Sequence, residues 1–325
     1  MPVMTYREAL NAALHEEFAR DEKVLLMGEE VAVYQGAFKV SQGLLQKFGE
    51  KRVVDTPISE AGFVGMAIGA AMLGLRPIAE VMTFNFAILA LDQMINNAAK
   101  MYSMSGGTLH VPMVLRGPGG AAHQLASQHS QALEAHYAHV PGLKVVMPAT
   151  PADAKGLLKS AIRDDNPVVF IEGEALYPTK GEMPEGEYTI PLGQADIKHP
   201  GKDVSLITWS RMTLVTMEAA ALLEKEGIDA EVLDLRTLRP VDKEAILQSV
   251  RKTNRAVVVE EAWPWASVGG SVVDLIQREA FDDLDAPVLK LNGIDAPIPY
   301  AKNLEHTMLP NPARIRAAVN QVLYR

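Results

Sequence analysis

Glu60 is a carboxylate in an unusual place. In DTPISEAGFVGMAIGAAMLGLRP, residues 55–77, it opens an almost wholly apolar run rich in glycine and alanine, with no basic residue before Arg76. Two readings stand on the residues alone. As an acid in the first turn of a helix capped by Ser59, it would complement the helix dipole, a contribution of ~0.3–1 kcal/mol. As a carboxylate drawn into apolar surroundings, it would hold its proton more tightly than a solvated one. It could then share a hydrogen bond with a ring nitrogen of a cofactor lying in an apolar slot.

Two further patterns invite chemistry. In RGPGGAA, residues 116–122, Gly117-x-Gly119-x-x-Ala122 has the spacing of a dinucleotide fingerprint directly after a strand. That fingerprint should open a helix, and an acidic residue should end the next strand. Glu134, the nearest acid, lies instead in the helical-looking HSQALEAHYAH. Five of the eight histidines fall between positions 110 and 139, with His136 and His139 at helical spacing. They could serve zinc or iron, yet no HExxH or facial-triad spacing occurs, and His123 and His129 flank small and polar loop residues.

The elements that must position these groups alternate. Thr5 and Glu8 form a capping box, after which Tyr6, Leu10, Leu14 and Phe18 recur on one helix face. VLLMG, RVVDTPI, RPIAEVM, VPMVLRG, LKVVMPA and PVVFIEG read as buried strands, with helices between them. SQGLLQKFG is a helix stopped by Gly49, FNFAILALDQMINNAAKMYSM one long helix, and Thr150 with Pro151 the start of another. Residues 176–200 are rich in proline, glycine and charge without a sustained period, and read as a crossover. A second alternation runs from DVSLITWS to a last helix at Pro312. The expectation is α/β throughout, in two parts: 1–176 and a smaller 201–325, joined by 177–200.

Composition narrows the function classes. At 325 residues two domains are expected, and 48% hydrophobic content supports sizeable cores. A net charge of −9 argues against a nucleic-acid or anionic-membrane partner, and no apolar run reaches membrane-spanning length. The absence of cysteine excludes disulfides, thiolate zinc sites and a cysteine nucleophile. MPVMTYREAL lacks the basic start and apolar run of a signal peptide. The expected location is therefore the cytoplasm, or an organelle matrix if a transit peptide was removed.

Longer stretches then agree in order and spacing. They are TPISEAGFVGMAIGAAMLGLRPIAEVMTFNFA, INNAAKMYSMSGG, VPMVLRGPGG, QHSQ, PGLKVV, KGLLKSAIRDDNPVVF, LRTLRPVD, EEAWPWASVGG, DAPVLKLNG and PIPYAKNLE. Together they resemble the beta subunit of the thiamine-diphosphate-dependent, decarboxylating component of 2-oxo acid dehydrogenase complexes. The resemblance spans essentially the whole chain. Within the family, RGPGG is closer to the pyruvate-type subunits than to the branched-chain ones, which are the alternative. The implied fold is two doubly wound domains: an N-terminal pyrimidine-binding domain and a smaller transketolase-C-terminal-like domain.

The resemblance also implies roles. Glu60 matches the glutamate that hydrogen-bonds the aminopyrimidine ring of the cofactor and promotes loss of the thiazolium proton. Phe86 would stand against that ring, with Met82 and Ile58 lining the slot, and His129 would steer or protonate the incoming lipoyl group. SAIRDDNP resembles a potassium-binding loop, in which backbone carbonyls of Ala161, Ile162 and Asn166, with Asp164 and Met113, would surround the ion. The GDG segment by which family enzymes hold Mg²⁺ and the diphosphate is missing, and the pair Asn96-Asn97 stands without it. A separate alpha subunit is thus implied to supply the phosphate half in an α2β2 assembly. The further partners implied are a 2-oxo acid substrate and a lipoyl-bearing acyltransferase.

Overall fold

The computed structural model describes residues 2–325. They form two compact units, one comprising the chain up to Gly119 with His136–Leu192, the other Gly120–Ala135 with Gly193–Arg325. Both are α/β. No helix among the described residues is long and apolar enough to cross a membrane.

Six parallel strands of the first unit lie in the order Lys144–Val146, Val168–Gly173, Val114–Gly119, Arg76–Glu80, Val24–Gly28, Val53–Asp55. The two strands Val114–Gly119 and Val168–Gly173 are buried at every residue, as expected of a parallel sheet covered on both faces. Strand Val24–Gly28 sits between its two successors. The chain leaves it to build Val53–Asp55 on one side and then Arg76–Glu80 on the other. That reversal is a topological switch point, and crevices for ligands open beyond the carboxyl ends of strands at such points. Register aligns those ends, pairing Gly28 with Asp55 and with Glu80. Gly28 is needed there, since a Cβ would stand 2.3 Å from the Glu80 carbonyl oxygen.

The helices follow their sequence signals. Thr5 Oγ1 accepts the Glu8 amide at 3.2 Å and the Glu8 carboxylate accepts the Thr5 amide at 2.8 Å, closing the capping box. Tyr6, Leu10, Leu14 and Phe18 are all buried on helix Tyr6–Arg20. Thr150 caps Pro151–Arg163, and Gly49 ends Leu44–Phe48 with φ 80°.

In the second unit Leu289–Leu291, Ala256–Val259, Val204–Thr208 and Ala230–Asp234 run parallel, and Asp196–His199 closes the edge antiparallel. Its core joins Leu206, Val232 and Val257 of the sheet to Met212, Ala219, Ile315 and Val319 of the helices.

Three expectations need correction. The segment from Phe84 is not one helix. It runs as Phe84–Ala87, a 3₁₀ turn at Ile88–Ala90, a π-helix at Gln93–Ala98 and a last turn at Met101–Met104. Hydrogen bonds from Asn96 to Asp92, Asn97 to Gln93 and Lys100 to Asn96 run along the widened stretch. The stretch around Glu134 is helical only at Glu134–Ala138, with a separate 3₁₀ turn at Ser127–His129. The crossover, read without a sustained period, carries short strands: Lys180–Glu182 pairs with Val3–Thr5, and the edge strand begins at Asp196.

Candidate active site

Glu60 is the first residue of helix Glu60–Met72 and only 7% exposed. Ser59 holds the capping position, but its side chain makes no capping hydrogen bond. Glu60 thus sits in the first turn of the helix and is withdrawn from water.

What composition did not disclose is its neighbour. Glu29 follows strand Val24–Gly28 at the switch point, is 7% exposed, and its Oε1 has no hydrogen-bond partner among the described residues. Burial raises the Glu29 carboxyl above its ordinary range, and the nearby Glu60 charge raises it further. Asp55 places this loop. Its two carboxylate oxygens accept the Ala32 and Val33 amides at 2.7 and 3.1 Å, while the Gly28 carbonyl accepts the Thr56 amide at 2.9 Å. Neither Glu29 nor Glu60 takes part in an ion pair among the described residues.

Apolar residues follow the neighbouring strands. Thr83 starts the short helix Phe84–Ala87, its hydroxyl accepting from the Asn85 amide nitrogens of backbone and side chain. Of the two phenylalanines in FNF, Phe84 is core, edge-on to Tyr137 at 5.7 Å, whereas Phe86 is 37% exposed. Ile58 is 82% exposed and Met82 half-buried. Ile58, Glu60 and Met82 thus follow strands on either side of the switch point, from one end of the sheet. Exposed Ile58 and Phe86 give a ring-sized apolar group something to pack on.

His129 belongs to the second unit, in the turn Ser127–His129, half-buried, with its amide donating to the Ala126 carbonyl at 3.2 Å. His110, His123, His136 and His139 are exposed, and no three His, Asp or Glu side chains among the described residues gather as a metal site. After Gly119 comes a loop rather than a helix, so RGPGGAA does not build the dinucleotide turn.

The potassium candidates Ala161 and Ile162 lie in the last turn of helix Pro151–Arg163, Asp164 and Asn166 on the loop after it, and Met113 just before strand Val114–Gly119. Arg76 Nη1 donates to the carbonyls of Ile162 and Asp164 at 3.1 and 3.0 Å, and the Ala161 carbonyl accepts the Asp164 amide. Asp164 accepts from Lys144 and, at 2.9 Å, from Asn166, while the Met113 carbonyl takes the Val168 amide. A cation already stands at this loop, in the form of Arg76.

Sequence reasoning passed over two buried clusters. Arg116, 1% exposed, donates to Glu172 and to Glu80 across the central strands, and the Tyr177 hydroxyl donates to Glu172 at 2.7 Å. Arg116 was legible as the first letter of RGPGG, but its partners lie 36 and 56 residues away. In the second unit burial pushes the Glu134 carboxyl up to about 7, while Trp209 Nε1 donates to its Oε1 at 3.3 Å.

Comparison with known proteins decides the family. Residues 3–180 match the transketolase pyrimidine-binding domain and residues 193–315 the transketolase C-terminal domain. The pyruvate dehydrogenase E1 component subunit beta of Rhizobium meliloti is 55% identical, the alignment covering 100% of this chain and 71% of that one. Its counterpart in Rickettsia felis is 53% identical over 99% and 98% of the two chains. The chain belongs to the pyruvate dehydrogenase E1 beta-subunit family. The mitochondrial E1 beta subunit of Caenorhabditis elegans, 53% identical over 98% of this chain, extends the family to eukaryotes. Two solved structures share the E1 beta fold. An inactive beta4 tetramer of a split-gene transketolase superposes with a TM-score of 0.82 at 24% identity, covering 99% of this chain and 98% of that one. A Pichia stipitis transketolase mutant gives 0.70 at 13% identity, over 100% and 48%.

Proposed function

We propose that this chain is the pyrimidine-side half of a thiamine-diphosphate-dependent pyruvate dehydrogenase. In that role it catalyses oxidative decarboxylation of pyruvate and passes the acetyl group to the lipoyl group of an acyltransferase. The observation that carries the reading is the buried Glu60 beside the unpartnered Glu29 oxygen at the switch point of a parallel sheet, with exposed Ile58 and Phe86 following strands Val53–Asp55 and Arg76–Glu80. This donor set suits a basic, flat, aminopyrimidine-like ring: an acid for the ring nitrogen and apolar side chains for its faces.

Thiamine diphosphate, when bound, supplies the electron sink that decarboxylation requires. Glu60 holds a hydrogen bond to the ring nitrogen, and its burial keeps water from competing for that proton. Glu29 adds a second carboxyl group close by, which disfavours a state with both ionised. Phe86, Met82 and Ile58 would orient the ring, and His129 would protonate the lipoyl sulfur released when the S–S bond opens and the other sulfur takes the acyl group.

The phosphate half, with Mg²⁺, is assigned to an alpha subunit in an α2β2 assembly. Loop 161–166 with Met113 is retained as a potassium site, in which Arg76 would share its carbonyl oxygens with the ion. The test is reconstitution. The chain alone should bind thiamine diphosphate weakly and release no CO2 from pyruvate, and addition of the alpha partner should restore both. Decarboxylation of pyruvate by the chain by itself would overturn the reading, and faster turnover of branched-chain 2-oxo acids by the assembly would move the substrate.

A further inference from the structure

His129 stands on a segment that would not hold its shape unaided. Between residues 120 and 130, His123, Gln124 and Ala126 have φ of 55°, 61° and 61°, in the left-handed region that side chains disfavour. Ala126 also has ψ −164°, a combination that is essentially glycine's alone. Strain of this kind persists only where the surroundings over-determine the backbone. The surroundings here can be named.

The segment is fastened at its start through the backbone of one residue, Ala121. The Ala121 amide donates to Glu261 Oε1 at 2.5 Å, and Arg211 Nη1 donates to the Ala121 carbonyl at 2.6 Å. Both bonds are charge-assisted, and acid and base grip opposite sides of the same residue. Gly120 lets the backbone come this close. Its φ is 83°, and a Cβ there would stand 2.9 Å from Glu261 Oε1. Further along, the Gln124 amide donates to Glu305 at 3.1 Å and Ser127 Oγ to the Ile298 carbonyl at 2.9 Å. All these anchors belong to the second unit. Burial raises the Glu261 carboxyl, the Arg211 charge and the Ala121 bond draw it back, and Glu305 raises it again.

We propose that Glu261 and Arg211 are positioning residues for His129. Through the amide and carbonyl of Ala121 they fix the strained segment, and so fix where the imidazole stands when it acts. The proposal rests on the assignment of His129 to acyl transfer. Misplacing a proton donor by about 1 Å can cost on the order of 10²-fold in rate, so a clamp eight residues away can govern this step while leaving earlier ones alone.

The test uses the chain assembled with its alpha partner and compares two assays. One is reduction of an artificial electron acceptor, which bypasses the lipoyl group; the other is acetyl transfer to a lipoylated acyltransferase domain. Glu261→Ala should slow transfer about tenfold or more and change acceptor reduction by less than about threefold. It should also speed amide hydrogen exchange across residues 121–129. Glu261→Gln should retain transfer, because its amide oxygen still accepts the Ala121 N–H. In a His129→Ala background, Glu261→Ala should add less than about twofold, since both act on one step. Should Glu261→Ala fail to assemble, Arg211→Met removes the other half of the clamp and should give the same split. Equal losses in both assays, or unchanged hydrogen exchange, would overturn the proposal. If His129→Ala itself shows no selective loss, the assignment of His129 fails. The exchange data would still report on the clamp, so the two failures can be told apart.

Discussion

Arg116 grips Glu172 through two parallel contacts, Nε to Oε1 and Nη2 to Oε2, each 2.5 Å long and fully buried between central strands. Nη1 turns the other way to Glu80, so one guanidinium serves two carboxylates. Burial raises the Glu80 carboxyl, and the Arg116 charge opposes that rise. Arg116→Met fills the space but strands both acids in a dry interior. The expected cost is about 3–5 kcal/mol of stability, as when one partner of a buried pair is removed. Chemical denaturation of the variant measures it, and a loss below about 1 kcal/mol would show that the cluster does not hold the sheet.

Glu134 makes stability depend on pH in a direction that can be worked out. Its carboxyl moves from an ordinary 4.5 up to about 7 in the fold, chiefly through burial. Between those values the folded chain binds more protons than the unfolded one, so this group's contribution to stability falls as pH rises. Above 7 its ionised form burdens the fold in full. Glu134→Gln should therefore raise the melting temperature clearly at pH 8 and little at pH 5. A gain of equal size at both pH values would contradict the shift.

Much of the fold was legible because its signals are local. Tyr6, Leu10, Leu14 and Phe18 declare a helix face by spacing alone, and Thr150-Pro151 declares a helix start. The features that escaped depend on distant partners. Glu29 reads as one of two acids in a turn until the strand before it is paired with Val53–Asp55. Lys180–Glu182 is a strand only because Val3–Thr5 lies beside it. The π-helix at Gln93–Ala98 kept an apolar periodicity, which cannot register a widened turn. Glu60 could be singled out from composition, because a lone charge in an apolar run is conspicuous. Its like-charged neighbour could not.

His129 should separate two assays that share their early steps. Under the proposed role, His129→Ala spares reduction of an artificial electron acceptor within about tenfold. It slows acetyl transfer to a lipoylated domain by roughly 10²-fold or more, typical of losing a positioned proton donor. Equal losses would place His129 in decarboxylation or cofactor binding. No loss in either assay would leave it a histidine of the turn Ser127–His129 and nothing more.

The most direct measurement concerns Glu60. Glu60→Gln fits the same space at the start of helix Glu60–Met72 but replaces an acid that can exchange a proton with an amide that cannot. Assembled with the alpha partner, the variant should keep the melting temperature of the parent. It should lose pyruvate decarboxylation by on the order of 10²–10⁴-fold. Turnover within threefold of the parent, with saturating thiamine diphosphate, would contradict the role assigned to Glu60 and the proposed function with it.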